Sequence, residues 1–292
     1  MSKTIGRNLR FWVMTLLCLS SVGATSASPV YNGDTSSLPA EFLTIRNTSI
    51  AVIDVDEDYY FSRLLRLVIS KTQSDWGALE VKELPYLIED RRLRASLHRG
   101  IVDVIWSPTS SAHEQDMLPI RISLLKNLNN YRVLLIREGE QARFSGVNSL
   151  VDLARLRGGI SPQWTDAKIM EYNNLLLVKA VGYRKLFKML VANRFDYYSR
   201  GVYQVHGELK MYGHLGLQME EKLLLSYPNE VYFFVNKNNT KLAQRIEVGL
   251  SRALADGSFD ELLMSIPSYK KGTELLQAHQ RRVLTLKSLP AN

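Results

Sequence analysis

Cysteine is nearly missing from this chain: Cys18 is the single example in 292 residues, and it lies in the apolar stretch near the N-terminus. Beyond that stretch no thiol can form a disulfide or ligate a metal, so stability has to come from packing. Catalytic signatures are missing as well. HExxH, GxSxG and phosphate-loop patterns do not occur, and His98, His113, His206, His214 and His279 are not spaced as metal ligands, so no metal or cofactor is expected. After the N-terminal stretch, no apolar run approaches the roughly 20 residues that a membrane-spanning helix needs. Low-complexity segments and internal repeats are also lacking.

What is present is ordinary for a folded chain, with 46% hydrophobic and 23% charged residues, enough to build one large domain or two moderate ones. Lys3, Arg7 and Arg10 precede the apolar run at 11–19, and small residues follow from Ser20 to Ser28. That pattern predicts a secretory signal peptide over 1–27, cut after Ala24 or Ala27, and a periplasmic address. Leu17 stands where lipoprotein processing wants a small residue, so Cys18 reads as a hydrophobe. Removing the signal leaves 34 Lys plus Arg against 29 Asp plus Glu, a net charge of +5. The cluster Arg91, Arg92, Arg94 reads as a solvated basic helix face, and no nucleic-acid partner is expected for an exported chain.

Residues 28–41 are rich in Ser, Pro, Asn and Gly and read as a flexible lead-in, with order beginning near Phe42. The pattern then predicts a strand at 50–55 and a helix, capped by Asp56 or Asp58, with the stripe Phe61, Leu64, Leu65, Val68, Ile69. A strand at 79–84, a helix at 89–99 ended by Gly100, and a strand at 101–106 buried on both faces follow. This β-α-β-α-β order predicts a parallel sheet with right-handed crossovers. The third strand runs into Ser107, Pro108, Thr109, Ser110 and Ser111, where a parallel sheet offers its ligand crevice, with Trp106 as an aromatic wall. Equally, these hydroxyls could simply close a turn.

A second α/β unit begins with a strand at 131–136, a short helix carrying Leu150, Leu153 and Leu156, and a strand at 158–160. Gln163, Trp164 and Thr165 lead into a helix from Asp166, with Thr165 or Asp166 as its N-cap. A strand is expected at 175–181. Residues 186–208 then combine helix, strand, turn and helix. Tyr183, Leu186, Phe187, Leu190 and Val191 form the inward stripe, Asn193 ends the helix, and the strand at 195–198 is interrupted by Ser199, Arg200 and Gly201. That polar turn is either a ligand position or an ordinary surface turn. Strands at 215–220 and 230–235 precede a helix capped by Asn239 or Thr240, with Leu242, Ile246, Leu250 and Leu254. The strands near 131 and 231 bracket a self-contained unit, as two crossings between lobes would.

Four stretches occur in a telling order behind the export signal: GIVDVIWSPTS at 100–110, LPIRISLLKNLNNYRVLLIREG at 118–139, LFKMLVANRFDYYSRGVYQVHGEL at 186–209 and YPNEVYFFVNKNN at 227–239. With them the chain, from about residue 45 to 255, resembles bacterial periplasmic solute-binding proteins of the type II fold, in the branch related to polar amino-acid-binding proteins. The resemblance implies a two-lobed α/β fold with an interlobe cleft and two crossing segments. Lobe one would comprise 42–130 and 236–292, and lobe two 131–235. It also implies a solute trapped by hinge closure. Trp106, Ser107 and Thr109 would line one wall, Gln163, Trp164, Thr165 and Arg200 the other, and Tyr59 and Tyr60 would form a lid.

The implied function is non-catalytic binding of a small polar or anionic, amino-acid-like solute by a monomer, for an ABC-type transporter permease or a membrane sensor. One departure matters. Amino-acid binders of this family place an arginine shortly after the Ser/Thr loop, whereas here none occurs until Arg121, which leaves Arg200 as the candidate for an anion. Two other readings stay open: a periplasmic lyase or glycan-cleaving enzyme using Glu114, His113, Asp166 or Glu208, and an interaction protein whose cleft has lost its ligand.

Overall fold

The computed structural model describes residues 42–45, 57–86, 88 and 90–290. The predicted signal peptide and the strand expected at 50–55 lie outside the described residues. In chain order the first elements are β1 (Phe42–Ile45), α1 (Glu57–Ser70), α2 (Gln73–Trp76), β2 (Glu80–Glu83), α3 (Asp90–His98), β3 (Val104–Pro108), α4 (Ser111–Asp116) and β4 (Met117–Ile120). The middle of the chain supplies β5 (Tyr131–Arg137), α5 (Gln141–Phe144), α6 (Leu150–Leu153), β6 (Arg157–Ile160), α7 (Thr165–Tyr172), β7 (Leu176–Lys179), α8 (Tyr183–Val191), β8 (Tyr197–Gly201) and α9 (Val205–Tyr212). The last elements are β9 (Leu217–Met219), β10 (Leu223–Ser226), β11 (Val231–Asn236), α10 (Thr240–Ala255), α11 (Ser258–Met264), α12 (Pro267–Gln277) and β12 (Arg282–Thr285).

The helices form where the apolar period and the caps coincide. In α1 the whole predicted stripe, Phe61, Leu64, Leu65, Val68 and Ile69, is buried. Helix α10 starts at Asn239, whose side chain accepts the Leu242 amide at 3.2 Å, and it buries Ile246, Leu250 and Ala253. Leu254, expected in the same stripe, is exposed. Helices α1 and α10 pack closely because Gly249 has no side chain: a Cβ there would strike the Val68 carbonyl.

Two main sheets organise the chain. A three-stranded antiparallel sheet runs β3-β11-β4, and a seven-stranded mixed sheet runs β12-β10-β5-β8-β6-β7, with β9 also on β5. In the smaller sheet Phe233 lies opposite both Trp106 and Ile120, so one face is aromatic and apolar and packs on α1. In the larger sheet β6 is parallel to both β7 and β8, whereas β5 is antiparallel to β8.

The strand pairing departs from expectation in three places. The strands that begin the chain do not form one parallel ladder among the described residues: β1 pairs in parallel with β2, but β3 is antiparallel to β11. Strand β3 still lies beside β1, since the Asp103 amide donates to the Thr44 carbonyl at 2.8 Å. Strand β11, counted with the second lobe, pairs instead with β3 and β4, because its alternating Val231, Phe233 and Val235 fit the apolar face of that sheet. Finally, 282–285, counted with the first lobe, is β12 and pairs with β10 in the larger sheet. Leu284 and Leu286 drive that return by burying in the same apolar cluster as Leu134 and Tyr197.

Between the sheets the chain crosses near 127–132 and 226–231 and once more ahead of β12, and the first two crossings are bonded side by side. The Tyr227 amide donates to the Asn130 carbonyl at 3.0 Å and the Asn229 amide to the Asn130 side-chain oxygen at 2.8 Å. Asn130 in turn donates to Glu230 at 2.7 Å. Tyr203 donates to the Asn129 side-chain oxygen at 3.0 Å, and Tyr269 packs edge-on between Tyr203 and Tyr60, linking α12 and α1 to the crossings.

Candidate functional site

The parallel strands β6, β7 and β8 end side by side, and the segments that leave them meet. Beyond β6 comes Trp164, beyond β7 the turn at Gly182 (φ 108°), which releases Tyr183 into α8, and beyond β8 the first turn of α9 with Glu208. A crevice outside the carboxyl ends of parallel strands is where an α/β sheet takes a ligand. Here one side chain stands at its centre. Arg200 is 6% exposed, and its guanidinium carbon lies 4.9 Å from the Trp164 ring, 4.9 Å from Tyr198 and 5.3 Å from Tyr183.

Glu208, which is wholly buried, completes this box. Arg200 Nε donates to its two oxygens at 2.8 and 3.0 Å, Nη2 lies 2.6 Å from Oε1, and Tyr183 donates its hydroxyl to Oε1 at 2.8 Å. Burial works against the charge on Arg200, but the adjacent carboxylate outweighs it and holds the guanidinium well above its usual range. Burial and the same carboxylate push the Tyr183 phenol up, so it stays protonated as a donor. The residues expected to form a polar turn, Ser199 to Gly201, are therefore strand, and all are buried. The charge of Arg200 is already satisfied, so it is not placed as a free anion grip.

A second buried pair lies on the opposite face of the same sheet. Asp166, in the first turn of α7, accepts Arg132 Nε at 2.8 Å, the Tyr227 hydroxyl at 2.5 Å and the Asn229 side-chain amide at 3.2 Å. Burial would raise the Asp166 pKa, but Arg132 and the Tyr227 hydroxyl hold it below the ordinary carboxylate range. The N-cap position of α7 is Trp164, and no side chain caps it. Capping by Thr165 or Asp166 thus gives way to a stronger use of Asp166, as the tie between the two crossings and α7.

On the smaller sheet, Thr109 donates to Glu114 Oε1 at 2.7 Å, and Arg121 grips both oxygens of Glu114 at 3.0 and 2.5 Å. An arginine thus reaches the Ser/Thr loop from just beyond β4, but it is neutralised there. Arg121 and Thr109 hold the Glu114 carboxyl below its usual range. His113 Nδ1 lies 2.9 Å from the Pro108 carbonyl and 3.5 Å from Ser107 Oγ, and Ser110 caps α4. Burial lowers the His113 pKa.

The other expected site residues separate. Tyr60 is core, with its hydroxyl on the Leu124 carbonyl at 2.8 Å, and Trp106 stacks on Phe61 inside the core, so neither is a free wall. Tyr59 is exposed beneath the Arg63 guanidinium. Gln163 is exposed, Ser107, Thr109 and Thr165 are half-buried, and the Trp164 ring contacts Arg200. Sequence reasoning missed Tyr183, Tyr198 and Glu208 as members of the box. One signal was available: had the strand been carried to Gly201, Tyr198 and Arg200 would have shared a face. A surface depression of about 260 Å³ lies elsewhere, between β4 and α10, bordered by Ile120, Arg121, Ala243 and Glu247.

Comparison with known proteins is informative through structure alone. No protein-family model matches the chain, and no curated sequence matches it. An ancestral arginine-binding protein bound to arginine is similar at a TM-score of 0.59 and 15% identity, covering 77% of this chain and 98% of that one. A putative L-cystine ABC transporter protein from Listeria monocytogenes is similar at 0.56 and 19% identity, covering 78% and 97%. A probable amino-acid ABC transporter extracellular-binding protein from Bacillus subtilis is similar at 0.57 and 15%, covering 79% and 99%. At such identities the likeness concerns fold alone: the chain shares the two-lobed α/β fold of these three proteins.

Proposed function

We propose that the protein is a non-catalytic periplasmic binding protein for a small polar solute, held between two lobes that close about the paired crossings. Lobe one would contain 42–130 with β11 to α11, and lobe two β5 to β10 with β12. A transporter permease or a membrane sensor would be the next partner. The observation that carries this reading is the convergence of polar and aromatic side chains at the carboxyl ends of β6, β7 and β8, in a fold whose structural relatives include solute-binding proteins. Fold alone does not assign the activity.

Ser107, Thr109, Gln163, Trp164 and Thr165, with Tyr59 as a lid, remain the solute-facing candidates; Arg200 passes from ligand grip to wall. The carboxylates considered as catalytic acids or bases, Glu114, Asp166 and Glu208, each bind an arginine, which argues against acid/base work. Thermal unfolding of the mature protein against a panel of neutral, zwitterionic and anionic metabolites tests the reading, since a ligand of the native state adds RT ln(1 + [L]/Kd). A solute that raises the midpoint and compacts the protein in X-ray scattering supports it. A flat panel, with a scattering profile that never changes, favours the ligand-free interaction protein instead, a reading to which the filled crevice lends weight.

A further inference from the structure

Three strand ends converge on one guanidinium, and that guanidinium belongs to the chain itself. Trp164 follows β6, Tyr183 follows β7, and Tyr198 and Glu208 bracket the end of β8. Together they present what a soluble guanidinium or alkylammonium ion would need: ring faces within about 5 Å on several sides and a buried carboxylate engaged at 2.6–3.0 Å. The carboxylate is oriented from behind by the Tyr183 hydroxyl. Trp164 and Tyr183 are only half-buried, so the box lies under the crevice surface and not deep in the core. The Tyr198 hydroxyl is buried without a hydrogen-bond partner, so the box carries a polar group that Arg200 and Glu208 leave unused.

We infer that this is a complete cation-binding subsite that the chain occupies with its own Arg200, which acts as an internal ligand. The inference deepens the solute-binding reading, since it uses the same strand ends. Its consequence for that reading is specific: in the intact protein this position is closed to an external cation and offers no free charge to an anion. Any solute would rest on the Trp164 side of a wall that is already neutral.

Chemical rescue tests it without knowledge of the natural solute. Arg200→Ala empties the box while leaving Glu208 and the rings in place. Ethylguanidinium chloride should then raise the thermal midpoint of Arg200→Ala in a saturable manner, beyond the effect of equal sodium chloride. The intact protein should show no such rise, and the double variant Arg200→Ala/Glu208→Gln should lose the rescue. A folded Arg200→Ala protein indifferent to ethylguanidinium overturns the inference, as does saturable stabilisation of the intact protein to the same extent. Should Arg200→Ala not fold, the Arg200 Nε–H resonance of the intact protein decides. Slow solvent exchange, unaltered by ethylguanidinium, supports occupancy; exchange as fast as that of surface arginines refutes it. A failed metabolite panel bears on the proposed function and leaves these readouts unaffected.

Discussion

Replacing Asp166 with alanine should be among the most damaging single changes, because it strands a buried cation at the junction of the two crossings. Arg132 is 5% exposed, and its Nε has Asp166 as partner at 2.8 Å; the Tyr227 hydroxyl and Asn229 amide lose the same acceptor. Breaking one half of a buried pair costs ~3–5 kcal/mol, well above the ~0–1 kcal/mol of a surface pair. With an unfolding entropy of roughly 2.1 cal/mol/K per residue over the roughly 240 described residues, that loss lowers Tm by roughly 6–10 °C. Urea unfolding and calorimetry of Asp166→Ala, Arg132→Met and the double variant make the measurement. The double variant should cost much less than the sum of the singles, since no unpaired charge remains. A loss below about 1 kcal/mol for Asp166→Ala, or strict additivity, would refute the buried-latch reading. The acid limb offers a second check. The folded-state pKa of Asp166 is depressed, so its contribution is full above the unfolded carboxylate value, about 3.9, and is lost as pH falls through the lower folded value. Asp166→Asn should flatten stability against pH in that window.

Other outcomes follow from single contacts. Tyr183→Phe removes the hydroxyl that steadies Glu208 and should cost ~1.5–3 kcal/mol by urea unfolding, as for a hydrogen bond to a charged group. Gly249→Ala drives a methyl group into the Val68 carbonyl and should cost ~1–3 kcal/mol by the same measurement. Truncation after Gln277 removes β12 and uncovers one edge of β10, so the shortened protein should lose hydrogen-exchange protection at 223–226 and aggregate more readily; unchanged protection there would contradict the pairing.

Much of the scaffold was readable from apolar period and capping, because those signals are local. The stripe of α1, the Asn239 cap of α10 and the left-handed Asn193 that ends the α8 segment are each set by residues within a few positions of one another. The site was less readable, and Arg200 shows why. An Arg between Ser and Gly looks like a surface turn until a carboxylate eight positions on is brought against it by a strand-to-helix turn. The same holds for Arg132 with Asp166, thirty-four positions apart, and for Arg121, which reaches Glu114 only because β3, β11 and β4 fix Ile120 level with Trp106. Long-range charge pairing leaves no periodic trace. Edge strand β12 was missed for a related reason: its single inward leucine, Leu284, is too little to announce a strand by itself.

These three pairs bear on what the cleft can hold. Arg121, Arg132 and Arg200 lie near the predicted walls, and each is joined to its own carboxylate, Glu114, Asp166 or Glu208. A small dianion entering here would shed hydration without an unpaired guanidinium to replace it, an unfavourable exchange. On the proposed function, a neutral or zwitterionic polar solute would meet the Ser107 and Thr109 hydroxyls and the Trp164 ring, which ask for no net charge. Its affinity should therefore be nearly independent of ionic strength, since screening acts on uncompensated charge and these three pairs are each neutral. Titration at low and high sodium chloride decides the matter: a dissociation constant that climbs steeply with salt would mean that one of the three pairs opens to grip an anion.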